Sequence, residues 1–178
     1  MSGLKRTVAL VGMMGAGKSS VGRRLAARLG VEFRDADAEI EQAAGCTINE
    51  IFSRYGEPAF RDGERKVIAR LLTLPPHVLA TGGGAFADDE TRERIKTDAA
   101  SVWIRVPLDV LIARVGRRDT RPMLKDGDPA EIMTRLLQAR EPFYAQADLT
   151  VNSEDGPHTL AVDRIVEMLR DRALLEAA

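Results

Sequence analysis

The nine residues Gly12-Met13-Met14-Gly15-Ala16-Gly17-Lys18-Ser19-Ser20 carry the plainest chemical signal in the chain. Their spacing is G-x-x-x-x-G-K-[ST], a loop whose glycines let successive backbone N–H groups turn inward around an anion. An apolar run, Val8-Ala9-Leu10-Val11, precedes the loop, and a helical pattern with Val21, Leu25, Ala26 and Leu29 on one face follows it. The unpaired N–H groups and positive dipole end of that helix aim at the same point. Lys18 would then sit against the outer phosphates of a nucleoside triphosphate, and the Ser19 hydroxyl would hold Mg²⁺. The plain alternative is an ordinary strand-to-helix turn, but the strand–loop–helix context favours a site for ATP or GTP.

Four further groups of residues have types suited to the other half of a phosphoryl transfer. Asp35-Ala36-Asp37 ends a second apolar stretch, where residues two apart share one face of a strand. Asp35 is the candidate carboxylate for Mg²⁺, directly or through water, because Val78-Leu79-Ala80-Thr81 offers no acid. Asp37, one step further out, would accept a proton from an acceptor hydroxyl. The competing reading is that one of the two only caps the next helix. Gly82-Gly83-Gly84 closes the third strand at the same rim and leaves room for a ligand against bare backbone, unless it is merely a flexible turn. Arg61 and Arg140 are ordinary surface charges taken singly. Converging, they would suit a small anion, since a guanidinium fork gives a carboxylate or phosphate two parallel hydrogen bonds. Glu64, one turn after Arg61, would hold that side chain in place. Arg114, Arg117, Arg118, Arg121 and Lys125 form a basic run interrupted by the acid Asp119. Such a run fits either a solvated loop or a segment that closes over phosphates and neutralises developing charge.

The elements that must position these groups are legible as alternating patterns. Apolar stretches rich in Val, Leu and Ile fall at about 7–11, 31–34, 78–82, 101–106 and 148–152, as expected for strands buried on both faces of a parallel sheet. Helical patterns occupy 18–29, a region between Asp37 and Leu74 broken at Gly45 and Gly56, then 88–97, 108–116, 129–146 and 157–175. The alternation predicts a doubly wound α/β fold with ligands beyond the carboxyl ends of the strands. Two segments are long for crossovers: 38–74, expected to house the acceptor, and 117–128, expected to be a lid.

Bulk properties narrow the classes. At 178 residues the chain reads as one domain, 1–178, with a soluble mixture of 44% hydrophobic and 30% charged residues. A net charge of −1 gives no general attraction for nucleic acid or an anionic membrane, so any anion site must be local. One cysteine, Cys46, excludes an internal disulfide, and two histidines make a zinc cluster an unpromising reading. The first strand begins so early that no signal peptide is expected, and no apolar run approaches the ~20 residues that span a bilayer. A cytoplasmic protein is the expectation. These observations lead to a small ATP-dependent phosphotransferase with a compact anionic acceptor, leaving open whether that acceptor carries a carboxylate or a phosphate. Gluconate-type and nucleoside monophosphate kinases share such a core, and a non-catalytic nucleotide-binding regulatory module is the rival from outside enzymes.

Taken together the motifs resemble those of shikimate kinases, from Val8 to about Leu169 and in that family's order. The set comprises the loop 12–20, Asp35-Ala36-Asp37, Phe60-Arg61-Asp62-Gly63-Glu64, Thr81-Gly82-Gly83-Gly84, Arg118-Asp119-Thr120-Arg121-Pro122-Met123-Leu124 and Arg140-Glu141-Pro142-Phe143-Tyr144. The resemblance implies transfer of the ATP γ-phosphate to the 3-hydroxyl of shikimate, on the route to chorismate and the aromatic amino acids. It also implies a five-stranded parallel sheet of order 2-3-1-4-5 and a monomer. It places shikimate on Asp37, Arg61, Gly82, Gly83, Gly84 and Arg140, with both arginines on the carboxylate and Asp37 on the ring hydroxyls. ATP falls to Gly15, Ala16, Gly17, Lys18, Ser19 and Ser20, Mg²⁺ to Ser19 and Asp35, and Arg121 comes from the lid. Arg114 matches a position that flanks the adenine. Two departures stand out: Ser20 replaces a frequent threonine, and Asn152-Ser153-Glu154-Asp155-Gly156-Pro157 lacks the arginine or glutamine that some members set against the adenine.

Overall fold

The structure is a computed structural model that describes residues 3–116 and 127–176. Strand β1 (Thr7–Val11) is the centre of the sheet, and Val8, Ala9, Leu10 and Val11 are all wholly buried. That burial on both faces is why the strand reads as an unbroken apolar run rather than an alternating one. Around it lie β2 (Phe33–Asp35), β3 (Val78–Ala80), β4 (Ala99–Arg105) and β5 (Leu149–Asn152). The order is β2-β3-β1-β4-β5 with every pairing parallel, the 2-3-1-4-5 order expected.

The register decides which residues share a rim. Leu10 pairs with Ala80, and Ala80 with Asp35, so the loop after β1, the glycines after β3 and the acids after β2 emerge side by side. Helices cover the sheet: α1 (Lys18–Leu29), α2 (Ala36–Ala44), α3 (Ile48–Leu71), α4 (Asp89–Asp98), α5 (Leu108–Val115), α6 (Pro129–Tyr144) and α7 (His158–Asp171). Helices α1 and α7 pack together, while α3, α4 and α6 gather around a short 3-10 turn, Ala85–Ala87, that the sequence reading did not anticipate.

Several predicted boundaries shift. Strand β2 runs 33–35 rather than 31–34, and β3 stops at Ala80 instead of reaching 82 because Gly82-Gly83-Gly84 leads into the 3-10 turn. Strand β4 starts two residues early, at Ala99, since small residues there complete the pairing with Thr7 and Val8. The broken helical region is two helices. Gly45 ends α2 in a left-handed conformation, and Thr47 opens α3 with a capping box, accepting from Glu50 N at 3.2 Å while Glu50 Oε2 accepts from Thr47 N at 2.8 Å. Gly56, at φ 82 and ψ 172, kinks α3 two residues before Pro58. The expected lid, and with it Arg117, Arg118, Arg121 and Lys125, lies outside the described residues save Gly127 and Asp128. Among the described residues no helix is long and apolar enough to cross a membrane.

Candidate active site

The loop between β1 and α1 wraps a cavity of about 300 Å³ at the carboxyl rim of the sheet. Gly17 caps α1 at φ 88, a conformation that side chains rarely adopt, and a Cβ there would stand 2.9 Å from His158 Cε1. Lys18 is buried and folds back over its own loop, Nζ donating to Gly12 O at 2.7 Å and Met13 O at 2.8 Å. Gly15, Gly17, Lys18, Ser19 and Ser20 line the cavity. Ala16 does not: it is buried, and its N–H closes a turn onto Met13 O at 3.1 Å.

Ser19 Oγ donates to Asp35 Oδ2 at 2.6 Å. The other carboxylate oxygen, Oδ1, accepts from Asp37 N at 3.0 Å and Ala38 N at 3.3 Å, capping α2. The capping reading thus holds for Asp35, while its other oxygen faces Ser19 of the phosphate loop, the position expected of a Mg²⁺ ligand. Asp37 belongs to the first turn of α2, not to the strand. Strand alternation is therefore the wrong reason for its facing the site with Asp35; the turn of the capped helix brings it there. A hydroxyl and a carboxylate oxygen side by side beside Lys18 fit a hard, six-coordinate ion that takes its remaining oxygens from phosphates and water. No cluster of three or more metal-ligating side chains exists among the described residues, so a cage built wholly of protein is not the arrangement found there.

A second cavity, about 440 Å³, opens on the other side of Asp37 and is lined by Arg61, Glu64, Phe52, Phe60 and Arg140. Asp37, Gly82 and Gly83 line both spaces. The three consecutive glycines make room for the side chains of the site. A Cβ on Gly82 would stand 3.0 Å from Asp37 Oδ1 and 3.0 Å from Glu64 Oε2, one on Gly83 3.2 Å from Arg140 Nη1, and one on Gly84 2.5 Å from Arg61 Nη2. The bare backbone expected to receive a ligand thus also receives the residues that would bind it.

Both arginines converge here, from the middle of α3 and the end of α6. Arg61 donates to Glu64 Oε1 at 2.9 Å and to Glu57 Oε1 at 3.4 Å. Burial works to lower its pKa, but the Glu64 and Glu57 carboxylates outweigh that and raise it, so the guanidinium is charged throughout. Glu64 is 1% exposed, and burial pushes its carboxyl above the usual range against the pull of Arg61, with the Asp37 charge adding to the rise. Its Oε2 has no hydrogen-bond partner among the described residues, and neither has Arg140 Nη1. Buried polar atoms left this way at a cavity wall are positions that a polar ligand completes.

Sequence reasoning missed two residues. Tyr144, wholly buried, donates to Gly83 O and touches Met13 Sδ at 3.7 Å, and its hydroxyl is pushed up to about 12 mainly by burial. The signal was present: Tyr144 follows Arg140 by one helical turn in α6, on the same face. His158 lines the phosphate cavity from α7 and had no sequence signal, because nothing local links it to the loop. Arg114 reaches the same end of that cavity, donating to Gly15 O at 3.1 Å and Glu154 O at 3.4 Å.

Known proteins share this fold and much of this sequence. The family described as shikimate kinase matches residues 14–170. A shikimate kinase of Paramagnetospirillum magneticum is 61% identical over 164 residues, covering 92% of this chain and 84% of that protein. One from Caulobacter vibrioides is 57% identical over 165 residues, covering 93% and 82%. A solved shikimate kinase from Acinetobacter baumannii, in complex with shikimate, superposes with a TM-score of 0.92 at 37% identity and 95% coverage of both chains. Two adjoining cavities hinged on one aspartate, and relatives more than half identical over most of their length, agree: the chain belongs to the shikimate kinase family.

Proposed function

We propose that this protein transfers the γ-phosphoryl group of ATP to the 3-hydroxyl of shikimate, yielding ADP and shikimate 3-phosphate. The observation that carries the reading is the junction at Asp37, where a glycine-lined phosphate cavity meets a cavity walled by two guanidinium groups. Arg61 and Arg140 take the acceptor's carboxylate, each able to present a planar pair of N–H donors. Gly82, Gly83 and Gly84 form the floor on which the ring lies. Asp37 accepts the hydrogen bond of the attacking hydroxyl and holds its oxygen towards the phosphate loop. As the new O–P bond forms, the bond to the leaving ADP oxygen breaks and the hydroxyl proton departs on the Asp37 side.

Gly15, Gly17, Ser20 and the N-terminus of α1 hold the triphosphate, and Lys18 exchanges loop carbonyls for phosphate oxygens. Ser19 and Asp35 are the oxygens that would hold Mg²⁺, which supplies charge neutralisation at the phosphates when bound. Arg121, outside the described residues, is assigned a further positive charge on the transferring group, with 117–128 as its lid. The segment 38–74 is assigned to the acceptor. A monomer acting as a single domain completes this reading, and sedimentation equilibrium tests the monomer. ATP as donor agrees with a cytoplasmic location.

The decisive experiment measures ADP release with shikimate, quinate, gluconate and nucleoside monophosphates in turn. Turnover with shikimate far above the others is expected. Preference for gluconate or a nucleotide would overturn the acceptor, and ADP release indifferent to shikimate would point to a nucleotide-binding module.

A further inference from the structure

The phosphate cavity has two ends. One is Asp37 with Gly82 and Gly83, shared with the acceptor cavity; the other is formed by Arg114, Val115 and His158. Transfer at Asp37 requires the outermost phosphate to lie at the first end. The nucleoside half of the donor must then lie towards the second.

His158 stands there on a rigid support. Pro157 precedes it as the cap of α7, and His158 begins the stripe Ala161, Val162 and Ile165 by which the helix is buried. It is the polar member of that stripe, placed where the stripe reaches the phosphate loop. Its ring lies over Gly17, with Cε1 at 2.9 Å, Nδ1 at 3.3 Å and Nε2 at 3.8 Å from the Cβ that Gly17 lacks. The imidazole makes no hydrogen bond or ion pair with any described residue. Burial, helped by the charges of Arg114 and Arg24, lowers its pKa and so favours the neutral ring, which offers one N–H donor and one acceptor nitrogen.

We infer that His158 is a nucleotide-binding residue, its imidazole hydrogen-bonding the nucleoside-proximal half of the donor opposite Arg114. The inference rests on the proposed use of ATP. It adds a contact from the start of α7.

The test measures Mg·ADP affinity by calorimetry, and the KM values of both substrates, for the wild type, His158→Ala and His158→Phe. Phenylalanine keeps a flat ring over Gly17 without the nitrogens. Both variants should weaken ADP binding and raise the ATP KM by roughly three- to tenfold, the loss expected for one neutral hydrogen bond, with the shikimate KM unchanged. Wild-type ADP affinity in His158→Ala would overturn the inference. So would recovery of that affinity in His158→Phe, which would make the ring a filler. A readout free of substitution is the His158 Cε1–H resonance of the wild type. It should shift on adding Mg·ADP and not on adding shikimate; an unmoved resonance with ADP bound counts against the contact. Should the wild type bind no ADP at all, the proposed function itself fails, which is a different outcome from an unaltered variant.

Discussion

The Arg61 guanidinium lies so close to Gly84 that a Cβ on that glycine would stand 2.5 Å from Nη2 and 2.7 Å from Cζ. Gly84 has φ −95, so alanine is conformationally acceptable there and only the side-chain clash matters. Gly84→Ala should therefore fold normally while displacing Arg61. Steady-state kinetics should show a raised shikimate KM with the ATP KM unchanged; equal effects on both would mean that the rim itself had moved.

Arg140 is buried with Nη1 unpartnered among the described residues, which makes it the more demanding of the two anion ligands. A charge-assisted hydrogen bond is worth about 1.5–3 kcal/mol, so Arg140→Ala should raise the shikimate KM on the order of 10- to 100-fold. Arg140→Lys keeps the charge but not the planar fork and should recover only part of the loss. Full activity in the lysine variant would argue against two-pronged recognition.

Tyr144 holds Gly83 O and lies beside Arg140, and its raised pKa keeps the hydroxyl protonated at any ordinary working pH. Removing the donor in Tyr144→Phe leaves a buried carbonyl without its partner, a loss of about 1–3 kcal/mol. The expected results are a lower Tm and a modest rise in shikimate KM. An unchanged Tm would show that the carbonyl finds another partner.

Asp35 joins two duties that substitution can separate. Asn is as good a helix cap as Asp, so Asp35→Asn should keep the Tm yet lose turnover and need more Mg²⁺ for half-maximal rate. Asp35→Ala should lose the cap as well, about 1 kcal/mol of stability. Unaltered Mg²⁺ dependence in the asparagine variant would leave Asp35 as a cap alone.

Glu64 gives a pH signature. Its carboxyl is raised on folding above the ordinary value of 4.5, so between that value and the raised one the native state holds more of the proton than the unfolded chain. Stability then falls as pH rises through this window. Glu64→Gln has no such titration, so the Tm of the wild type minus that of the variant should shrink as pH climbs from below 4.5 upward. A difference that grows with pH would reverse the assignment.

Local pattern determined a great deal here. The sequence 12–20, set between an apolar run and an amphipathic helix, specifies the phosphate loop because its glycines and the helix start are neighbours in the chain. The strands and most helices follow from hydrophobic period, and the family resemblance supplied the sheet order. The Arg61–Glu64 pair was legible because the two residues lie one helical turn apart. What the tertiary structure decided were meetings between distant segments. Asp37, Arg61 and Arg140 face three successive glycines only because the register of β1, β3 and β2 brings those loops to one rim and α6 returns across it. Asp37 is placed by a cap only two residues away, but the bond from Tyr144 to Gly83 and the ring of His158 over Gly17 join segments tens of residues apart or more. No period or motif encodes such contacts, because they are set by how covered surfaces fit together and not by the spacing of residues along the chain.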